Sequence, residues 1–300
     1  MPVDGSAESR AESRAESRAE GHAGGPSGAH VEGSDIQIRV RGVSKSFGAK
    51  NVLDGVDLEV LRGESLVVIG GSGSGKSVLL KHLIGLLQPD EGTVEVDGVP
   101  LGSLSSRELT DFRRRFGMSF QEGALFDSMT VGENVAFPLR RQTLLGKSEI
   151  HHRVQECLEL VHLEGVEGKM PSELSGGMRR RVGFARALAV EPEILLFDEP
   201  TTGLDPITTA VIDEVILEIH RATSSTSVTI THDMASAFRI ADRVGMLYGG
   251  RIVALAPPED FRTLEDPRVQ QFLQGLTDKQ MASSHRGPAH RAAGRTPIEP

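Results

Sequence analysis

Tryptophan is absent from this chain, tyrosine occurs once, and aromatic residues make up only 4% of it. No platform of rings for stacking nucleic-acid bases is visible. Positive charge is also in deficit. The formal net charge of −9 argues against broad nucleic-acid binding, because a phosphate backbone needs a basic surface. The single cysteine, Cys157, excludes an internal disulfide and fits a reducing cytosol. No apolar run approaches the ~20 residues that cross a bilayer. The polar, charged first residues lack an apolar signal core, so no signal peptide is expected. If the chain works at a membrane, the channel is expected to be another polypeptide.

Two glycine-containing motifs stand out from this background. GGSGSGKS runs from Gly70 to Ser77 and fits the phosphate-cradling pattern G-x-x-x-x-G-K-[ST]. Before it, Ser65–Ile69 is a short apolar, β-branched run of buried-strand length. After it, Lys76–Leu87 has the apolar positions of a mostly buried helix. Gly70, Gly71, Gly73 and Gly75, with Ser72 and Ser74 between them, let the backbone approach phosphate oxygens. The helix N-terminus then faces the anion. Lys76 is expected to bridge the β- and γ-phosphates of ATP, and Ser77 to hold Mg²⁺. LSGGM follows at Leu174–Met178. There Ser175 is a helix N-cap candidate. Gly176 and Gly177 leave room for a phosphate at the start of a helix over Met178–Ala189. Arg179–Arg181 read as a solvated face of that helix.

Ile194–Phe197 is another buried strand, ending in Asp198-Glu199. Asp198 is expected to help hold Mg²⁺, and Glu199 to orient or deprotonate an attacking water. Val228–Ile230 gives a further strand, followed by Thr231-His232-Asp233. Met118–Phe120 reads as a strand ending at Gln121.

These segments resemble those of the ATP-binding-cassette (ABC) ATPases. The resemblance implies an α/β P-loop NTPase fold with a RecA-like core, an antiparallel β subdomain and a helical subdomain at about 122–190. It implies that Ser175, Gly176 and Gly177 contact the γ-phosphate of ATP held by a second copy of the chain. It makes Thr201–Asp205 the D-loop at the dimer interface, with Asp205 beside the nucleotide. His232 becomes the switch histidine at the γ-phosphate. Gln121 becomes the Q-loop glutamine, a Mg²⁺ and water contact that senses the membrane partner. Phe47 lies where an aromatic residue usually stacks on adenine, tyrosine being commoner. Met178 departs from the usual glutamine, at a position that makes no phosphate contact.

The first 34 residues are low in complexity. AESR repeats from Ala7 to Arg18, and no opposite charges fall at i+3 or i+4, so a helix gains no ion-pair support. Disorder is expected there and again over 279–300. Between them, 35–265 is read as the ATP-binding domain and 266–278 as a helical extension. Ile36–Val40, Val56–Val60 and Thr93–Asp97 alternate like strands of the β subdomain. Ser105–Phe116 and Lys147–Val161 read as helices, Arg243–Ala254 as a hairpin around Gly249-Gly250, and Asp266–Leu276 as an amphipathic helix.

Within the ABC families the chain is similar to the Mla (maintenance of lipid asymmetry) and Mce-associated ATPases. Phe120–Phe126, Glu133–Leu139, LSGGM, Asp205–Thr208 and Gln270–Leu276 carry that likeness. It implies phospholipid transport through a separate permease at the cytoplasmic face of the plasma membrane. It also implies a Mce-type lipid-binding protein and a small STAS-like regulator as partners. A motor for a generic amino-acid or ion importer would share every ATP-site residue. A soluble ABC ATPase would usually show tandem cassettes or coiled-coil arms, and neither is present. Glu199 and His232 together argue against a scaffold that binds ATP without hydrolysing it.

Overall fold

The computed structural model describes residues 35–275. The AESR arm, the tail over 279–300 and the last residues of the extension lie outside that range. Two long strands open the described chain, β1 (Ile36–Phe47) and β2 (Lys50–Leu61). They pair antiparallel, from Ile36 opposite Leu61 to Phe47 opposite Lys50. β3 (Ser65–Ile69) leads into α1 (Lys76–Leu83). β4 (Glu91–Val96) and the two-residue β5 (Val99–Pro100) complete an antiparallel sheet of order β2-β1-β4-β5.

α2 (Ser106–Phe112) and β6 (Phe116–Ser119) follow, and then three helices in succession: α3 (Val131–Gln142), α4 (Lys147–Leu160) and α5 (Gly176–Leu188). β7 (Ile194–Asp198), α6 (Pro206–Thr223), β8 (Thr226–Thr231) and α7 (Met234–Ile240) alternate. β9 (Arg243–Tyr248), β10 (Arg251–Ala256), α8 (Pro258–Thr263) and α9 (Pro267–Leu273) end the described chain. The second sheet has the order β10-β9-β3-β8-β7-β6. All its pairs are parallel except β9 with β10.

β3 shows why the parallel strands are unbroken apolar runs. Leu66 and Val68 point into a core shared with β1, β2, β4 and α1. Val67 and Ile69 point into the opposite core, built with α3–α7 and α9. Both faces are covered, so the polar half of an alternating pattern is absent. The β9–β10 turn needs positive φ at both central residues, and Gly249 (φ 57°) and Gly250 (φ 79°) supply it.

The sequence reading named no helix at α6, α7 or α8 and ran the last one to Leu276 where α9 ends at Leu273; three further departures have a clear physical cause. α1 stops at Leu83, not Leu87. Gly85 takes φ +66°, the left-handed stop that glycine accepts most readily. Leu86, read as part of a mostly buried helix, is 48% exposed. The helix read over Ser105–Phe116 ends at Phe112. A tight turn over Arg113–Arg115 follows, and Arg113 donates to the carbonyls of Ile84 (3.1 Å) and Gly85 (2.5 Å). α3 was not anticipated as a helix. Thr130 starts it with a reciprocal cap, its hydroxyl accepting from Glu133 N–H while the Glu133 carboxylate accepts from Thr130 N–H.

Candidate functional site

Four of the site segments sit at the carboxyl ends of neighbouring parallel strands, where open α/β sheets leave a crevice. β3 delivers Gly70–Ser77, β7 delivers Asp198-Glu199, β8 delivers His232, and β6 delivers Gln121. A cleft of about 930 Å³ joins them, lined by Gly71–Ser77, Gln121, Glu199, Thr202 and His232.

The glycine loop is shaped by close approach on one side and open space on the other. A Cβ at Gly70 would lie 2.5 Å from the Leu247 carbonyl oxygen, and one at Gly75 would lie 2.9 Å from that of Val52. Gly75 also has φ 106°. At Gly71 and Gly73, by contrast, a Cβ would meet nothing within 4 Å. α1 begins at Gly75 with no side-chain cap, so its first N–H groups remain available to an anion. Ser74 Oγ is buried and has no partner among the described residues. This cradle fits a chain of phosphates.

Lys76, only 6% exposed, donates to the carbonyls of Gly70 (2.8 Å) and Gly71 (3.2 Å) and lies 3.3 Å from Glu199 Oε1. Glu199 Oε2 accepts from the Thr202 hydroxyl (2.8 Å) and from His232 Nδ1 (2.8 Å). With a carboxylate as acceptor, that ring nitrogen carries the proton. Burial alone would raise the Glu199 carboxyl. Thr202, Lys76 and His232 outweigh it and hold the group below its ordinary value, ionised at neutral pH. Glu199 also has φ +51°, a conformation uncommon for a non-glycine residue.

Asp198, the neighbouring residue, shows the opposite shift. Burial raises its carboxyl, opposed by the Ser77 hydroxyl, which donates to it at 3.3 Å. A hydroxyl and a carboxylate side by side are the all-oxygen donor set that Mg²⁺ takes, the remaining positions going to water and phosphate. Ser77 and Asp198 therefore fit that ion, with the Gln121 side chain at the edge of the same cleft.

Other residues singled out in the sequence lie elsewhere. Phe47 is 49% exposed and does not line the cleft, although Lys50, its cross-strand partner, does. Ser175 caps α5, accepting from Met178 N–H at 3.2 Å. Ser175, Gly176 and Gly177 do not line the cleft that holds Gly71–Ser77. Asp205 caps α6, accepting from the N–H groups of Ile207 and Thr208 at 3.0 Å each, with its other oxygen on the Thr208 hydroxyl.

Of the arginine run after the signature, Arg179 is exposed as expected, but Arg180 and Arg181 are not part of a solvated face. Arg180 is only 7% exposed and donates to the carbonyls of Gln121 and Thr202. Arg181 donates to those of Val161 and His162. The sequence also gave no sign of Thr202 as a partner of Glu199. Nor did it show that Gln271, Phe272 and Gly275, at the far end of the chain, line the same cleft.

Comparison with known proteins agrees with this geometry. Residues 53–202 match the family model for the ABC transporter. The chain is 45% identical over 240 residues to a probable ribonucleotide transport ATP-binding protein of Mycobacterium leprae, covering 80% of this chain and 69% of that one. It is 42% identical over 241 residues to the intermembrane phospholipid transport system ATP-binding protein MlaF of Escherichia coli K12, covering 80% and 90%. Among solved structures it is similar to the dimeric post-hydrolysis state of the ATP-binding cassette MJ0796 bound to ADP and Pi. That likeness has a TM-score of 0.68 at 33% identity and covers 74% of this chain and 98% of that one. A glycine cradle, an ionised carboxylate held by lysine and histidine, and relatives of this kind lead to one conclusion: the chain belongs to the ABC transporter family, as an ATP-hydrolysing cassette.

Proposed function

We propose that this chain is the motor subunit of an ABC transporter, two copies of which close head to tail around two ATPs to drive phospholipid movement through a separate membrane permease. One observation carries the dimer: the signature residues Ser175–Gly177 do not share a cleft with the chain's own phosphate loop. A phosphate contacted by them would then belong to another copy. The MJ0796 cassette, similar to this chain, is dimeric. The lipid assignment rests on the E. coli relative named for intermembrane phospholipid transport.

In this reading Lys76 leaves Glu199 for the β- and γ-phosphates, and the glycine-loop N–H groups hold the phosphate oxygens. Ser77, Asp198 and Gln121 would hold Mg²⁺, which would supply neutralisation of charge on the transferring phosphoryl group. Glu199, freed on its Oε1 side, accepts the hydrogen bond or proton of the attacking water. His232 fixes the other carboxylate oxygen and faces the γ-phosphate. Phe47 offers its exposed ring to adenine. Asp205 holds the start of α6 at the dimer interface.

Among the described residues no helix is long and apolar enough to cross a membrane, which is consistent with a permease on a separate chain. A groove of about 310 Å³ beside α3, lined by Phe120, Phe126, Phe137 and Arg186, suits a cytoplasmic helix of that permease. Phe126 is 42% exposed there and packs against Phe137, the two rings tilted with centroids 4.7 Å apart. The motor would then sit peripherally at the cytoplasmic face of the plasma membrane, with a Mce-type lipid binder and a STAS-like regulator as further partners.

A second reading follows from the M. leprae relative, which is named for ribonucleotide transport. The complex with its cognate permease, reconstituted in liposomes, separates the two. ATP-dependent transfer of labelled phospholipid is expected. Uptake of labelled ribonucleotide without lipid transfer would replace the lipid assignment.

A further inference from the structure

Arg180 sits in the second turn of α5, the helix that begins at the signature serine. Its guanidinium is buried, and it forks between two segments distant in sequence. Nε donates to the Gln121 carbonyl at 2.7 Å, and Nη2 donates to the Thr202 carbonyl. Nη1 has no partner among the described residues. Both acceptors belong to the hydrolytic site, because Gln121 lines the cleft and Thr202 Oγ1 donates to Glu199 Oε2.

The loop after β6 is bound to α5 at further points. Arg186 donates to the carbonyls of Gly123 (2.7 Å) and Ala124 (2.8 Å). A Cβ at Gly123 would lie 2.6 Å from the Arg179 carbonyl oxygen, and one at Gly183 would lie 2.9 Å from Gly123 Cα. Two backbones thus pack directly on one another where loop and helix meet. Arg180 is the only one of these contacts that also reaches the segment after Glu199. A planar guanidinium suits that task, since it holds two acceptors in a fixed relation where an ammonium on a flexible stem does not. Hydrogen bonds from a charged donor are also roughly twice as strong as neutral ones.

We infer that Arg180 is a positioning residue that couples the signature end of α5 to Glu199, through Thr202, and to the Gln121 loop of the same copy. This rests on the proposed dimer for its consequence. If Ser175 meets the ATP held by a second copy, occupancy there pulls on α5, and Arg180 passes the displacement to this copy's own Glu199. Each site then reports its occupancy to the other.

The test uses the full chain with Arg180→Met, Arg180→Lys and Arg186→Met. Hydrogen–deuterium exchange is read over residues 119–127 and 199–206 without nucleotide. Steady-state ATP hydrolysis is read alongside. Arg180→Met is expected to raise exchange in both segments together and Arg186→Met in the first alone. Arg180→Met should lower kcat roughly 10–100-fold, the scale of a displaced catalytic group. KM for ATP should stay within about twofold and the Hill coefficient fall toward 1. Arg180→Lys should fall between parent and Met in kcat and exchange, and it carries the test if the Met variant does not fold. Parental kcat and cooperativity in Arg180→Met would overturn the inference. So would equal losses in the Met and Lys variants with a lowered melting temperature. A parent chain that binds ATP without hydrolysing it would sink the proposed function, and the paired rise in exchange would still decide the Arg180 coupling.

Discussion

The N-termini of α1, α5 and α7 each follow a motif segment of this chain, and they are finished in three different ways. α1 starts at Gly75 with no side-chain cap, its first N–H groups left for a ligand. α5 starts at Ser175, whose hydroxyl oxygen accepts from Met178 N–H and keeps its hydrogen to donate. α7 starts at Asp233, a carboxylate accepting from the N–H groups of Ala235 (2.9 Å) and Ser236 (3.2 Å). All three carry the same positive dipole end. Only the first two can take a phosphate, because an anionic cap already occupies the third. On the proposed function, the difference separates the end that would hold this chain's own nucleotide from the end that would meet another copy's. It leaves α7 to hold His232 in place.

The largest effect is expected where α1 and β7 meet. Glu199→Gln should leave ATP binding intact and slow turnover by ~10²–10⁴, the scale for losing a general base. The trapped nucleotide should yield a sedimenting dimer. Turnover at the parent rate would remove Glu199 from the chemistry, and a strictly monomeric ATP-bound species would break the distinction between α1 and α5. A tethered pair sharpens the same point. Lys76→Ala in one copy with Ser175→Arg in the other leaves one intact composite site, so hydrolysis should persist. Both changes in one copy disable both sites, so hydrolysis should vanish. The reverse pattern, with hydrolysis lost in the first arrangement and kept in the second, would mean that each chain uses its own signature.

The α7 end is expected to respond to pH through Asp213 on α6. Asp213 on α6 is 2% exposed and lies 3.1 Å from Ser236 Oγ, which also sits 3.3 Å from Asp233. Arg239 approaches the same Asp213 oxygen at 3.6 Å. Burial raises the Asp213 carboxyl from 3.8 to about 6, opposed by Ser236 and Arg239. The folded chain therefore keeps this proton longer than the unfolded one. The stability so gained is full below about pH 4 and lost as pH rises through about 6, a total of about 3 kcal/mol at most. Asp213→Asn should raise the melting temperature at pH 8, with the gap closing near pH 4. A pH-independent gap would remove Asp213 as the titrating group.

The caps themselves give the smallest effects. Gly75→Ala forces a side chain to φ 106° and against the Val52 carbonyl, which should cost roughly 1–3 kcal/mol of stability. Ser175→Ala should cost about 1 kcal/mol, the usual loss of a hydroxyl cap. Denaturant unfolding of the nucleotide-free variants ranks the two, and the reverse ranking would mean that the glycine loop relaxes around the added methyl.

Much of the site was legible because local spacing encodes it. Gly70–Ser77 needs its glycines within one loop, and Asp198-Glu199 must end a buried strand, so pattern alone finds them. What escaped depends on contacts between distant segments. Arg180 looks like any arginine on a helix, because its acceptors are main-chain carbonyls 59 and 22 residues away and a carbonyl leaves no mark in sequence. Thr202 is hidden for the same reason. α3 was obscured by Gly132 at its start and Pro138 within it, both poor helix residues that the Thr130–Glu133 cap and the packing of Val131, Val135 and Leu139 override. The apolar run after Lys76 suggested a longer α1 because periodicity does not register the left-handed turn at Gly85.

The helix at the end of the described chain carries a consequence of its own. Val269 anchors α9 in the core at 0% exposure, and Gln271 and Phe272 line the nucleotide cleft. A cleft wall made by α9 is a second ligand of that cleft, covalently tethered to it. Linkage then runs in both directions by the same factor. A nucleotide that favours the docked helix protects it from proteolysis, and any partner that holds the helix down tightens the nucleotide in equal measure.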